Sequence, residues 1–240
     1  MRLLALDTAT SVGAVALMED CRDVVEYSPV LHRTHSQRLV PLLDQALAEA
    51  GWSRSHLDAI AVGAGPGSFT GVRIGMTTAK ALAFALDRPL ATVSTLEASA
   101  LSPLLGGAGS GPAADDLVCP LLDARRGEVY TALYRVAGPA QLQWEAEAVS
   151  LPVEEWLERL PRGETVWFTG EGVPAHRARL QEVGGGWRMV GQPLLRALAV
   201  GLLGHRDAVA GRTVDPLQAV PRYVRRPQPE VLWEERHRGL

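Results

Sequence analysis

Asp7 and Asp123 each end an apolar run, Leu3 to Leu6 and Leu117 to Leu122. Paired carboxylates at strand ends, facing across a cleft, can hold a magnesium-bound phosphate chain. The turns beside them suit that chemistry poorly. A phosphate-hugging hairpin wants glycines with free amides. Here Thr8, Ala9, Thr10 and Ser11 follow the first aspartate, and Arg125 and Arg126 precede Gly127 after the second. The competing role is plain: both aspartates anchor or cap turns. Arg125, Arg126 and Glu128 would line the same cleft.

The run Gly63-Ala-Gly-Pro-Gly-Ser-Phe-Thr-Gly-Val-Arg-Ile-Gly75 follows a strand-like segment and opens a helix, a geometry suited to anions. It is not a P-loop, because no Gly-Lys-Ser/Thr stands in place. It fails the dinucleotide pattern too, since Ser68 and Thr70 occupy the third glycine positions. Gly67, Gly71, Gly75, Ala79 and Ala83 are four apart, and from Gly71 onward they share one helix face. Two helical glycines cost roughly 2 kcal/mol relative to alanine. Another element must therefore come very close. Either this chain or a partner's helix can supply it.

Other chemistries find little support. His32 and His35 are three apart, without the His-x-x-x-His spacing of helical zinc sites and with no third histidine nearby. His56, His176, His205 and His237 make no constellation. Cys21 and Cys119 are too few for a disulfide framework. Ser68 does not sit in Gly-x-Ser-x-Gly and reads as a cap.

The elements that would position these residues follow from period and punctuation. Leu3–Leu6, Val12–Met18 and Val24–Tyr27 read as three strands. A helix from Ser36 to Ala50 follows, with Leu39, Leu42, Leu43, Ala46 and Leu47 at helical steps and Pro41 early in it. Leu57–Gly63 is a strand, Thr70–Leu86 a helix, Leu90–Val93 a strand, and Ser94 or Thr95 caps a short helix to Leu101. A Gly-rich loop, 106–116, separates this first lobe, 1–105, from a second, 117–225, and an exposed tail, 226–240. The second half repeats the first in pattern. Each has an apolar strand ending in Asp, a turn, two more strands, then alternating helix and strand, here with helices at Val153–Leu160 and Gln192–Leu203. The expected class is α/β, with mixed sheets covered by helices.

The chain has 240 residues, of which 47% are hydrophobic and 21% charged. That composition supports a core without staples. A formal net charge of −3 argues against nucleic-acid binding by bulk charge but leaves room for a local patch. The apolar start stops at Asp7, short for a signal peptide, and no run approaches a membrane span. A cytoplasmic protein is the default expectation.

Several of these residues carry a resemblance. Leu6-Asp7-Thr8, His35-Ser36 followed by Leu39 and Pro41, the run Gly65 to Gly75 followed by Ala79-Lys80, Ser94-Thr95-Leu96-Glu97, Asp123-Ala124-Arg125 and Pro221-Arg222-Tyr223 resemble the TsaB (formerly YeaZ) family. The marks extend over roughly residues 1–225. That family acts in tRNA threonylcarbamoyladenosine biosynthesis. The resemblance implies the two-lobed fold of actin, sugar kinases and heat-shock ATPases. It implies a non-catalytic subunit that activates the paralogous transferase TsaD, together with the ATPase TsaE. The modified atom is N6 of the adenosine 3′ of the anticodon, in tRNAs reading codons that begin with A. The chain would form a homodimer when alone and meet tRNA through the complex. The partner interface would fall on the first-lobe helices, at His35, Leu39, Leu42, Gly71, Arg73, Gly75, Ala79 and Leu82. Asp7, Thr8, Asp123 and Arg125 would mark a vestigial nucleotide cleft. No metal and no resident cofactor are implied, with at most weak adenine-nucleotide binding at the interface of the complex. The rival readings are a phosphotransferase of the same fold, a metallopeptidase-like enzyme, and a homodimeric structural protein with no tRNA role.

Overall fold

The computed structural model describes residues 1–30, 35–106, 111–183, 186–190 and 195–224. Strands β1 (Arg2–Asp7), β2 (Ala14–Glu19) and β3 (Arg22–Tyr27) are joined by short turns. Then come α1 (His35–Glu49), β4 (Ala59–Gly63), α2 (Phe69–Leu86), β5 (Leu90–Val93) and α3 (Thr95–Leu101). The second half holds β6 (Leu117–Arg125), β7 (Glu128–Gly138), β8 (Gln141–Pro152), α4 (Val153–Arg159), β9 (Val166–Thr169), α5 (Val173–Val183), β10 (Trp187–Met189) and α6 (Ala197–Val209).

The pattern repeat is a repeat of topology. The first sheet has the order β3-β2-β1-β4-β5, and the second read from its other edge is β8-β7-β6-β9-β10. In each, the opening strand pairs antiparallel with its hairpin partner and parallel with the strand after the next helix. Strands β1 and β4 are central and covered on both faces, so they are apolar on both faces.

Helices α1 and α2 cover one face of the first sheet, with Leu39, Leu43, Val62, Met76, Ala79 and Ala83 in a shared core. Helix α6 covers the other face, with Val200 and Leu203 against Leu3, Ala61 and Ala91. Helix α3 packs Leu96 and Ala100 on the second sheet, against Val118, Leu122 and Tyr134. The two lobes are therefore laced together. The first-lobe expectation of 1–105 ends in a helix that lies on the second sheet, and the second-lobe expectation of 117–225 holds one that lies on the first. Local hydrophobic pattern says that a helix has an apolar face, but not which sheet takes it.

Helix α6 also differs from the expected Gln192–Leu203. Residues 191–194 lie outside the described part, and the helix runs on to Val209. Gly201 and Gly204 do not end it. They let it approach the sheet, since a Cβ on either would overlap Met18 or Ala61. Its first turn is held from β3, where Glu26 Oε1 accepts from the Leu198 amide (3.0 Å) and Oε2 accepts from Arg196 Nε (3.1 Å). A cap from so far along the chain leaves no signal in the local sequence.

The glycine face of α2 meets its close neighbour inside this chain. A Cβ on Gly71 would overlap the Thr8 carbonyl, one on Gly67 the Ala9 carbonyl, and one on Gly75 would lie 2.6 Å from Thr8 Oγ1. The Thr8 hydroxyl donates to Gly71 O (2.7 Å), and the Ser68 amide donates to Ala9 O (2.6 Å). Gly71, Gly75 and Ala79 are buried, which removes them from an interface with another protein. Leu39 is buried in the first-lobe core and is removed likewise. Four of the eight expected interface positions are thus buried within this chain. Helical spacing identifies a face, and burial decides what that face meets.

Gly71→Ala gains about 1 kcal/mol of helix propensity, but its methyl group must displace backbone rather than a flexible side chain. We expect a net loss of about 2 kcal/mol, read from urea unfolding. A variant as stable as the parent would show that α2 can move off the β1–β2 turn.

Candidate functional site

A cleft of about 700 Å³ opens between the lobes where the β1–β2 turn, the start of α2, the β6–β7 hairpin and the β9–α5 loop meet. Thr10, Ser11, Ser68, Asp123, Arg125 and Glu171 are among its lining residues. Asp7 is not. It lies fully buried below the cleft, with its carboxylate where a side chain on Gly63 would stand. Asp7 Oδ1 accepts from the Ala9 amide (2.6 Å), and Oδ2 accepts from Thr95 Oγ1 (2.7 Å). Thr95 Oγ1 in turn accepts from the Gly65 amide (3.2 Å). Asp7 therefore ties β1 to the loop before α2 and to the start of α3. Burial pushes its carboxyl up to about 6 against the lowering effect of the Ala9 and Thr95 bonds, and the negative Glu171 adds to the rise.

Thr8 is buried and serves the α2 contact. Asp123 and Arg125 are exposed on the other wall, where Asp123 Oδ1 accepts from the Arg125 amide (2.7 Å) and the two side chains pair at 3.4 Å. Arg125 and Arg126 both hold positive φ, 68° and 57°, which shapes the hairpin turn before Gly127. The two aspartates do not face each other across open space. One wall presents Asp123, while its topological counterpart is sealed underneath the other.

Glu171 was not singled out in the sequence, and it is the residue that joins the walls. Gly170 and Gly172 lie flat on the middle of β6, because a Cβ on either would press on Leu121 O, and the Gly172 amide donates to that carbonyl (2.8 Å). The loop so placed sends Glu171 across the cleft, where Oε2 accepts from the Ser11 amide (2.8 Å). The signal available in the sequence was the Gly-Glu-Gly triplet after an apolar strand.

The nucleotide implied by this fold would need free amides at the first turn. The amides of Ala9, Ser11, Val12 and Gly13 all have acceptors within the chain: Asp7, Glu171, Thr10 Oγ1 and Pro29 O. Those four amides are not free for a phosphate chain. Among the described residues no group of three His, Cys, Asp or Glu is placed to hold a metal ion. His32 lies outside the described residues. His35 opens α1, and its side chain is outside them too.

The remaining expected positions lie on or near the outer surface of α1 and α2. Arg73 is exposed, and Leu42 and Leu82 are half-buried. Other flanks of the same helices carry exposed apolar residues that periodicity did not select: Val40 (46% exposed) on α1, two residues from Leu42, and Phe69 (45%) and Phe84 (65%) on α2. Arg73 lies over the Phe69 ring (3.7 Å), and its Nε donates to Tyr223 Oη (3.2 Å). The C-terminal strap reaches this face because Lys80 Nζ donates to the carbonyls of Leu217 (3.2 Å) and Ala219 (2.8 Å).

Known proteins share this architecture. The tRNA threonylcarbamoyladenosine biosynthesis protein TsaB of Bacillus subtilis is 34% identical over 239 residues, covering 98% of this chain and 99% of that protein. The solved structure of YeaZ from Pseudomonas aeruginosa superposes with a TM-score of 0.78 at 32% identity, over 92% of this chain and 99% of the other. The chain belongs to the TsaB family. A family model described as TsaD, tRNA N6-adenosine threonylcarbamoyltransferase, matches residues 29–184, whereas the TsaB likeness runs through both chains almost end to end. The fold extends further. The activator of 2-hydroxyisocaproyl-CoA dehydratase from Clostridium difficile, solved with bound ADPNP, reaches a TM-score of 0.55 at 10% identity, over 88% of this chain and 97% of that one. This TsaB-family chain has the two-lobed fold of actin, sugar kinases and heat-shock ATPases. Among its described residues, no helix is long and apolar enough to cross a membrane.

The raised Asp7 carboxyl makes stability depend on pH. Between the ordinary value of 3.8 and about 6, the folded state keeps a proton that the unfolded chain has released. Stability therefore falls as pH rises through that window and levels off above it, by roughly 3 kcal/mol from this group. Unfolding midpoints at pH 4, 5, 6 and 7 should show the fall, and Asp7→Asn should flatten it. Parallel curves for parent and variant would show that Asp7 ionises as an ordinary carboxylate.

Proposed function

We propose that this chain is the non-catalytic partner of a TsaD-like transferase that places the threonylcarbamoyl group on N6 of the adenosine 3′ of the anticodon. The observation that carries this reading is the commitment of the Ala9, Ser11, Val12 and Gly13 amides to acceptors within the chain, with Glu171 on Ser11 as the clearest case. A group-transfer enzyme of this fold needs donors aimed at a bound phosphate. Here the donors hold the protein together. Asp7, the carboxylate that ends β1, is likewise spent on Ala9 and Thr95.

The partner would dock on the outer face of α1 and α2. Val40, Phe69 and Phe84 stand exposed on these helices, as does Arg73, and Leu42 and Leu82 are half-buried. Buried aromatic and arginine anchors carry most of the energy in such interfaces. A second copy of the chain would use the same face when the transferase is absent. A TsaE-like ATPase completes the set, tRNA meets the assembly, and the site of action is the cytoplasm.

The decisive experiment is a reconstituted tRNA modification with cognate TsaD, TsaE, threonylcarbamoyl-adenylate, ATP and tRNA, read by nucleoside mass spectrometry. Product should appear only when this chain is added, and the chain alone should give none. Equal product without it would end the partner reading. Phe84→Arg tests the face. Arginine keeps helix propensity and suits a helix C-terminus, so the folded monomer should persist while affinity for the transferase drops about tenfold or more. Unchanged affinity by titration calorimetry would place the interface elsewhere.

A further inference from the structure

A second cavity, of about 530 Å³, lies where α6 and the C-terminal strap meet strand β8 and the start of α3. Its walls include Trp144, Arg206, Asp207, Arg212, Arg222 and Glu97. Nothing in the partner reading uses it. Two of the three guanidinium groups share two carboxylates. Arg206 donates from Nη1 to Glu97 (2.8 Å) and from Nε to Asp207 Oδ1 (3.1 Å). Arg212 donates to that same Asp207 oxygen from Nε (3.2 Å) and Nη2 (2.7 Å). The Arg222 guanidinium donates to the Thr92 carbonyl (3.1 Å) and to no carboxylate among the described residues. The cavity therefore carries one positive charge in excess, in a chain whose net charge is −3.

The aromatic wall is as unusual as the charge. Trp144 is 51% exposed on a strand, where so large an apolar surface is costly to leave open. It is held in place rather than loose. Its ring stands edge-on to the buried Tyr134, with centroids 6.0 Å apart and planes at 81°. An indole held upright beside unsaturated guanidinium groups matches one chemical class, a flat base joined to a phosphate. The volume is in the range of small-ligand sites, and arginine forks suit phosphate oxygens.

We infer that this cavity binds a nucleotide unit, with the base stacked on Trp144 and the phosphate on Arg212 and Arg222. The source favoured here is a single-stranded segment of tRNA, which rests on the partner reading above, and the other source of the same chemistry is a free nucleotide. Stacking platforms next to arginines are how single strands are held without sequence readout. With so few cations, contact with RNA would be weak, short and salt-dependent.

The test uses the full chain without the transferase, so its result is separate from that of the reconstituted reaction. Labelled tRNA is titrated by fluorescence anisotropy at low and moderate salt, and AMP is titrated by tryptophan quenching, for the parent, Trp144→Leu and Arg212→Gln. Thermal unfolding checks that each variant is folded. The exposed position of Trp144 keeps that variant informative if Arg212→Gln fails to fold. For RNA we expect each variant to weaken binding about tenfold, and Arg212→Gln to lower the salt slope by about one. AMP quenching that disappears in Trp144→Leu, without tRNA binding, would keep the nucleotide site and make the free nucleotide its ligand. Binding of tRNA or AMP that neither variant changes, or no binding of either at low salt, would overturn the inference.

Discussion

Everything in the first lobe depends on how closely α2 approaches the turn between β1 and β2. Gly67 and Gly71 have no room for a side chain against the Ala9 and Thr8 backbone, Gly75 none against the Thr8 hydroxyl and Gly63 none against the Asp7 carboxylate, and together they let the helix and the strand end meet. That contact costs helix propensity and returns it as packing and as hydrogen bonds from Thr8 and Ser68. It has two consequences. It sinks Asp7 beneath the cleft, and it turns the other side of α2, with Arg73 and Phe84, outward.

The cleft is the product of the same constraint. In a two-lobed fold the space between the lobes is where charged ligands are held, and free backbone amides are what holds them. This chain keeps the space and fills the Ala9, Ser11, Val12 and Gly13 amides from within. Glu171 reaches from the second lobe to the first and occupies a donor with a carboxylate of its own. The bond also ties the lobes together on the cleft side, while α3 and α6 lace them elsewhere by each packing on the other lobe's sheet. A chain built this way is suited to presenting a fixed surface rather than to opening and closing around a substrate.

That surface has two dissimilar regions. The α1–α2 side is apolar with one stacked arginine, the character of a protein interface. The cavity beside β8 combines a held indole with three arginines, the character of a nucleotide contact. The C-terminal strap takes part in both, because Tyr223 touches Arg73 on one side and Arg222 lines the cavity on the other. Its path is set by Lys80 and by the Arg222 amide on Ala64 O (2.8 Å).

Period and punctuation alone determined most of the elements, the matching order of strands in the two halves, and the fact that the α2 glycines mark a close approach. These are local properties: burial alternates with strand or helix period, and a glycine repeat inside a helix needs a reason. They also showed that the turns after Asp7 and Asp123 carry few glycines. Only the tertiary structure decided what the close approach meets, that Asp7 is sealed while Asp123 is open, and that Leu39 belongs to the core while Phe84 does not. It alone brought Glu171 to Ser11, Glu26 to the start of α6, and Trp144 to Arg212. Each of these joins groups far apart in the chain, and their pairing is set by how the sheets and helices stack, which no local spacing encodes.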